Sequence, residues 1–346
     1  MDSVEEVIRL REAGDRANLG RGDHGKSLAC YEARFTLSAP EVVRAEDQAG
    51  IARRENLGRT FPALVRLSNS EPKDVSDFRS ATTGLAVKVI LDPGGYAGGA
   101  FLLAGHAEQD FVAGGLRTFV SANIADYADL FQLRIHPYSN ALIIHDRHPE
   151  AFAVFGTDPL LRYLNPSSAV APMVLEQAAF SSLVPYAWGD WAVKFRFERC
   201  HDFNRDSYSF SRFDSGYQGK VVSQFHQAQE ICYVMKIQKR PRSRSAGENE
   251  AIEQAFPVEN AMLEWPNPGA ANAPWNAEFR EVARLTISAG TPAMKDDECE
   301  NLAFNPWNGL KAHQPLGSLN RARWAVYQRS EWVRKDLARS EPPEQQ

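Results

Sequence analysis

The sequence predicts an α+β fold in which antiparallel strands, arranged as a barrel or a sandwich, carry helical segments. Three observations lead to this prediction. Short stretches of alternating apolar and polar residues recur along the chain, as expected of strands with one buried face. Residues 107–185 read as mostly helical, with Pro, Gly and Asn breaks. A final helix is predicted at 316–338, where Ser318 could cap it, and no internal repeat is visible, so we expect a single domain.

The predicted strands follow a period of two residues. The stretch 85–91 ends at the turn Asp92-Pro93-Gly94-Gly95, so 99–103 is expected to return beside it as a hairpin partner. The polar run 240–250 is expected to be an exposed loop. The candidate strands, in chain order, are 31–37, 64–68, 85–91, 99–103, 191–198, 231–237 and 282–287.

The two ends of the chain are predicted to lie outside the main domain. Residues 1–20 read as a helical arm with a short apolar stripe, which could pack on the body or on a second subunit, or could be a surface helix. Residues 21–338 form the predicted domain, and 339–346 form a disordered tail.

Composition excludes several functional classes. The chain has 346 residues, with 39 basic and 44 acidic side chains and a net charge of −5, which argues against a nucleic-acid-coating surface. No apolar run approaches the roughly 20 residues of a membrane helix, and residues 1–6 are too acidic for a secretory signal. The four cysteines lie far apart without zinc-site spacing, so four reduced thiols in a cytoplasmic protein are expected: Cys30, Cys200, Cys232 and Cys299.

The most informative segment is the last helix. Arg323 and Tyr327 are four residues apart and share a face, and Arg334 follows two turns later. A cation beside a phenol favours the phenolate, and an ionised tyrosine is one of the few side chains that hold haem iron. Taken alone, however, this spacing is common on exposed helices.

The context of this helix resembles the C-terminal haem-ligand segment of the haem catalase superfamily. There a Phe-Asp-Pro-type turn precedes a helix with Arg-x-x-x-Tyr and a further Arg, and here Phe304-Asn305-Pro306 precedes the helix. The resemblance implies haem b as cofactor and Tyr327 as its axial ligand. Arg323 would hold Tyr327 as the phenolate, and Arg334 would lie near the propionates.

A second match lies near the amino terminus. Arg21-Gly22-Asp23-His24-Gly25-Lys26 resembles the family's Arg-x-x-His-x-Lys run, which implies a cofactor-binding Arg21 and a distal His24. A histidine suits proton transfer to and from bound peroxide because its pKa lies near neutrality. The run 65–68 looks like the family's Arg-Phe-Ser strand. Arg66 would then contact a propionate, and Ser68 would fix the tautomer of His24.

Three weaker matches fall in the same order as in the family. The segments 77–79 and 84–88 resemble its Asp-x-Arg and Gly-Phe-Ala-Val-Lys runs, and 258–265 resembles its Glu-Asp…Trp segment. Matches from residue 21 to residue 334 imply a closed antiparallel barrel of about eight strands with helical insertions. The chain looks like the short catalase-like haem proteins of bacteria, related to catalases and allene oxide synthases.

Two departures bear on catalase activity rather than on haem binding. Asp23 stands where family catalases have an apolar residue before the distal histidine. Matching on Phe111, an expected pocket wall, puts Gly105 at the family's distal Asn, with His106 beside it as a substitute donor. We therefore assign Asp23, His24 and His106 as catalytic residues and expect weak dismutation of hydrogen peroxide.

Three functions remain open. The first is a haem enzyme that uses peroxide to oxidise a small organic or lipid molecule, or that rearranges an organic hydroperoxide. The second is a small catalase, and the third is a haem carrier or sensor without turnover. The arm resembles those that help catalase-like proteins associate as homo-oligomers. The remaining histidines are expected to be surface or core residues: His136, His145, His148, His201, His226 and His313.

Overall fold

A computed structural model describes most of the strands and the carboxyl-terminal part of the chain. The described residues are 24–70, 77, 82–91, 100–102, 107–128, 173–204, 207–208, 214–241, 246–255, 257–261, 265 and 277–339. The predicted arm at 1–20, the tail after 339 and the middle of the predicted helical insertion lie outside them.

The strands form one antiparallel sheet that closes on itself. They are β1 (Lys26–Leu37), β2 (Thr60–Asn69), β3 (Thr83–Ile90), β4 (Glu108–Gly114), β5 (Ala179–Ser181), β6 (Tyr186–Trp188), β7 (Trp191–Arg199), β8 (Ile231–Lys239) and β9 (Phe279–Ile287). Their order is β5-β4-β3-β2-β1-β9-β8-β7-β6, and β5 also pairs with β7. That second pairing closes an eight-stranded barrel, with β6 as a further short strand on β7. The predicted barrel is confirmed, and the sandwich is excluded.

Alternation along the strands decides which face turns inward. In β1 the side chains of Tyr31, Phe35 and Leu37 are buried, whereas Glu32 and Arg34 are exposed. Aromatic rings fill the interior: Phe111 packs against Phe35, Phe195 and Phe197, with ring centroids 5.8, 5.3 and 6.2 Å apart. Aromatic pairs of this kind add stability beyond the area they bury.

A buried histidine packs near the aromatic rings of the barrel interior, with its ring centroid 6.5 Å from that of Phe111. The ring of His313 lies 4.1 Å from that of Trp188, and its Nε2 accepts the backbone N–H of Ile51 at 2.8 Å. Gly50 passes over this ring with φ +56°, and a Cβ there would fall on the imidazole. The positive φ and the lack of space for a Cβ both require glycine at position 50.

The described helices pack outside the barrel. They are α1 (Tyr217–Ala228), α2 (Ala246–Ala255), α3 (Asp296–Asn301) and α4 (Gly317–Arg339). The last matches the predicted helix. Its first turn is capped by Glu259, whose carboxylate accepts the Ser318 N–H at 2.7 Å, rather than by the Ser318 side chain as expected.

Three local predictions are wrong. Residues 108–114 and 179–181, placed in the helical insertion, are strands β4 and β5. The partner of β3 is β4 and not 99–103, where Phe101 instead makes an isolated bridge with Leu310. Residues 246–250, placed in an exposed loop, begin helix α2.

The four cysteines form two disulfides, so the prediction of four reduced thiols is wrong. Cys30 in β1 pairs with Cys299 in α3, and Cys200 after β7 pairs with Cys232 in β8. Strand pairing and the packing of α3 bring distant residues to Cα separations of 5.5 and 5.4 Å. Disulfides are typical of oxidising compartments, so cysteine usage no longer supports the predicted cytoplasmic location.

Within the described ranges, every helix is too short or too polar to span a bilayer.

Candidate haem site

His24 lies against the outer face of strands β2 and β3. Its Nδ1 is 3.4 Å from Oγ of Ser68, which pairs with Gly84 across the sheet. A Cβ on Gly84 would lie 2.6 Å from His24 Nδ1 and 2.7 Å from Ser68 Oγ, so the histidine occupies the space that glycine leaves. The predicted contact between Ser68 and His24 is present.

The backbone at His24 is strained. Its φ is +50°, in the left-handed region that a non-glycine residue enters at a cost of roughly 1–2 kcal/mol. Arg66 Nη2 donates to the carbonyl oxygen of His24 at 2.9 Å, and it lies 3.9 Å from a carboxylate oxygen of Glu300. Arg66 is buried in this position. It holds the histidine backbone, whereas the contact with a propionate stays a prediction. We call His24, Ser68, Gly84 and Arg66 the histidine cluster.

A buried ion pair fixes the chain two residues after His24. Lys26 Nζ lies 2.9 Å from Oδ1 of Asp77, which also accepts the side-chain amide of Asn69 at 3.1 Å. The other oxygen of Asp77 accepts the N–H of Gln218 at 2.9 Å in the first turn of α1. Two of the matched sequence segments thus contact each other through Lys26 and Asp77.

A second cluster lies where α4 crosses strand β6. Arg323 Nη2 donates to the phenol oxygen of Tyr327 at 3.1 Å. Its Nη1 donates to the phenol oxygen of Tyr186 at 3.3 Å and to Oδ1 of Asn320 at 3.1 Å. We call these four residues the tyrosine cluster. The predicted pairing of Arg323 with Tyr327 is present, and Tyr186 is an additional member.

The tyrosine cluster keeps its arginine charged. Burial alone would lower the pKa of Arg323, but the phenol oxygens of Tyr327 and Tyr186 outweigh burial and raise it. Burial raises the pKa of Tyr186 despite the nearby guanidinium. No ion pair joins Arg323 to an Asp or Glu among the residues that the structure describes. A guanidinium that donates to a phenol oxygen stabilises negative charge there, which suits a ligand of ferric iron.

One segment, 299–310, runs from the histidine cluster to the tyrosine cluster. It begins beside Arg66 at Glu300, and its backbone at Asn305 donates to Oδ2 of Asp110 at 2.8 Å. The indole N–H of Trp307 then donates to the carbonyl of Asn320 at 2.8 Å.

Asp110, on β4, anchors the middle of this segment. It also accepts from Lys88 Nζ at 2.9 Å and from the side-chain amide of Asn308 at 3.2 Å. Burial raises its pKa to about 6, against the effect of Lys88.

The remaining predicted site residues are placed differently or are not described. Arg21, Asp23 and His106 lie outside the described residues. Arg334 lies on α4, but its side chain also falls outside. Phe111 points into the barrel interior, on the opposite face of β4 from the side chain of Asp110.

Sequence reasoning missed Tyr186, Glu300 and Asp110. Tyr186 lies in a strand of three residues, which is too short to show a period. Of the other histidines, His201 is exposed, and His226 and His313 are buried, as expected of surface or core residues; His136, His145 and His148 lie outside the described part.

The donor set fits a haem better than a free metal ion. The part of the chain that the structure describes contains no cluster of three or more His, Cys, Asp or Glu side chains able to hold a metal. The phenol–guanidinium pair at Tyr327 instead presents a single oxygen, and a tyrosine oxygen is one of the few protein ligands that can hold haem iron.

Known structures share this fold. A fungal catalase matches with a TM-score of 0.63 and 14% identity over 91% of this chain and 59% of its own. Catalase A from Saccharomyces cerevisiae matches with a TM-score of 0.61 and 14% identity over 91% and 61%. A bacterial catalase matches with a TM-score of 0.64 and 14% identity over 99% and 63%.

These matches show a catalase-like fold. The chain spans about three fifths of the length of these catalases. No protein-family model matches the sequence, and no curated protein matches it.

Proposed function

We propose that this protein is a haem b enzyme that activates peroxide and oxidises a small organic or lipid substrate, or rearranges an organic hydroperoxide. The observation that carries the proposal is the 3.1 Å contact between Arg323 and Tyr327, on the helix where the sequence resembles the haem-ligand segment. It occurs in a barrel that resembles those of catalases.

In this proposal the tyrosine cluster would hold the haem iron, and the histidine cluster would transfer protons. Tyr327 would hold the iron, with Arg323 stabilising the charge on its oxygen. When bound, the haem supplies the redox chemistry that cleaves the O–O bond of a peroxide. His24 would take a proton from the incoming peroxide and return it to the departing oxygen, which is general acid–base work. Ser68 would orient the imidazole, and Arg66 would hold its backbone.

A small catalase is the second candidate, favoured by the likeness of the fold to catalases. The absent distal amide at Gly105 and the acid at Asp23 weigh against rapid dismutation. The Tyr327, Arg323 and His24 roles are common to both candidates, so the substrate distinguishes them.

The test uses the full chain with haem bound. Oxygen evolution from hydrogen peroxide is measured beside the consumption of fatty-acid hydroperoxides and the oxidation of phenolic substrates. Slow oxygen evolution with fast organic turnover supports the first candidate, and the reverse supports a catalase.

His24→Ala should lower the rate of reaction with peroxide by about 10²–10⁴-fold, since it removes the proton carrier. His201→Ala, on an exposed histidine, is the control and should change nothing. If His24→Ala reacts like the parent, the protein is a haem carrier or sensor and not an enzyme of this type.

A further inference from the structure

Arg323 lies between two phenols that differ in origin and burial. Tyr327 is one turn further along α4 and only partly buried. Tyr186 comes from β6, is 4% exposed, and packs against Phe195 with ring centroids 5.1 Å apart. The resemblance to haem proteins gave no role to Tyr186.

The geometry of the guanidinium couples the two contacts. Its N–H groups form a rigid planar fork, so a contact that fixes Nη1 also fixes the direction of Nη2. Tyr186 and Asn320 both accept from Nη1, at 3.3 and 3.1 Å. Nη2 is thereby directed to Tyr327, which it reaches at 3.1 Å.

Burial separates the two phenols. The partly buried guanidinium of Arg323 pairs with no carboxylate among the described residues, and it donates to both phenol oxygens. Removing a phenolate from water is costly, and the cost is greater for the buried Tyr186 than for the partly exposed Tyr327. The pKa of Tyr186 is raised accordingly.

We propose that Tyr186 is a positioning residue. Its phenol, together with Asn320, holds Nη1 of Arg323 so that Nη2 faces the oxygen of Tyr327. The inference rests on the proposed function for the role of Tyr327 as iron ligand.

The first test follows the phenolate in the haem-loaded full chain. Tyr186→Phe removes one oxygen and keeps the ring. Tyr233→Phe, at a tyrosine of β8 that is 1% exposed and packs against Phe180, is the matched control. Acid titration is followed at the absorption band of the tyrosinate–iron bond.

Tyr186→Phe should lose this band at a pH about one unit higher than the parent, a tenfold change in proton affinity. Tyr233→Phe should titrate like the parent. A shift of Tyr186→Phe to lower pH would mean that the two phenols compete for Arg323, and an unchanged titration would mean that Tyr186 has no part in it. Either result overturns the proposal.

The second test needs no haem. Urea unfolding of the full chain is measured for Tyr186→Phe, Arg323→Gln and the double variant. We expect a coupling of at least fivefold in the unfolding constant, and none between Tyr233→Phe and Arg323→Gln. If the coupling is present but the protein binds no haem, the proposed function is contradicted and the role of Tyr186 stands. Absence of coupling would overturn the role of Tyr186 whatever the haem result.

Discussion

Gly84 allows His24 to lie against the sheet. With any larger residue the Cβ would approach Nδ1 of His24 to 2.6 Å and Oγ of Ser68 to 2.7 Å. The left-handed backbone of His24 is held by a hydrogen bond from a buried arginine, Arg66. Strained residues that the surroundings hold in place are concentrated at functional sites.

Gly84→Ala should therefore displace His24 and slow the reaction of the haem-loaded protein with peroxide by about 10²-fold, because small misplacements of catalytic groups have large effects. Gly247→Ala is the control, since a Cβ at Gly247 meets nothing within 4 Å. Stopped-flow rates measure both. A Gly84→Ala rate equal to that of the parent would show that the His24 position does not matter.

His313 makes the stability of the protein depend on pH. Burial lowers its pKa to about 3, from an ordinary value of 6.5 that the unfolded chain retains. The folded protein buries the neutral imidazole, whereas the unfolded chain takes up a proton below pH 6.5. The contribution of His313 to the free energy of unfolding is therefore complete above pH 6.5 and is lost as the pH falls towards 3. One extra proton on the unfolded chain costs about 1.4 kcal/mol for each pH unit in this range.

Urea unfolding at pH 7, 6 and 5 should show this loss for the parent and a flatter dependence for His313→Gln. The control His201→Gln, on an exposed side chain, should keep the slope of the parent. Parallel slopes for the parent and His313→Gln would contradict the burial of a neutral imidazole.

At the scale of elements, the disulfides differ in what they constrain. Cys30–Cys299 spans 269 residues and holds α3, with Glu300, against β1 near the histidine cluster. Cys200–Cys232 spans 32 residues within the β7–β8 pair. In the chain-entropy account, the longer loop gives the larger stabilisation.

Replacing Cys30 and Cys299 together by Ser should lower the free energy of unfolding by about 2 kcal/mol more than replacing Cys200 and Cys232, from the logarithm of the loop lengths. Denaturant unfolding of the full chain measures the difference. Four titratable thiols in freshly isolated, unreduced protein would contradict both disulfides.

Strands with one apolar buried face could be predicted from the sequence, whereas β4, which buries polar side chains, could not. β1, β7, β8 and β9 alternate because one face meets the core. In β4, Gln109 and Asp110 are both 1% exposed, since segment 305–310 covers them and satisfies their hydrogen bonds. Segment 305–310 is nearly 200 residues away along the chain, so nothing in the local sequence of β4 indicates that Gln109 and Asp110 are buried.

The candidate site divides in the same way. Arg323 and Tyr327 are neighbours on one helix turn, so their contact follows from spacing alone. Tyr186 and Glu300 reach the clusters only through the tertiary fold. The disulfide partners likewise become neighbours only when the barrel closes, and spacing along the chain gave no sign of them.

At the scale of the whole molecule, one segment, 299–310, links the histidine cluster and the tyrosine cluster on a catalase-like barrel. Arg66 and Glu300 lie at its start, Asp110 anchors its middle, and Trp307 reaches α4. The segment thus connects the cluster of His24, near the amino terminus, with the cluster of Tyr327, near the carboxyl terminus. The proposed function depends on the binding of haem iron by Tyr327.

The absorption spectrum of the full chain with ferric haem tests that claim most directly. We predict one haem bound for each chain, with the spectrum of a tyrosinate-ligated ferric iron. Tyr327→Phe should lose the haem or change that spectrum markedly, whereas Tyr208→Phe, whose ring stacks on Phe203, should leave it unchanged. An identical spectrum for Tyr327→Phe and the parent, or a parent that binds no haem, would contradict the account.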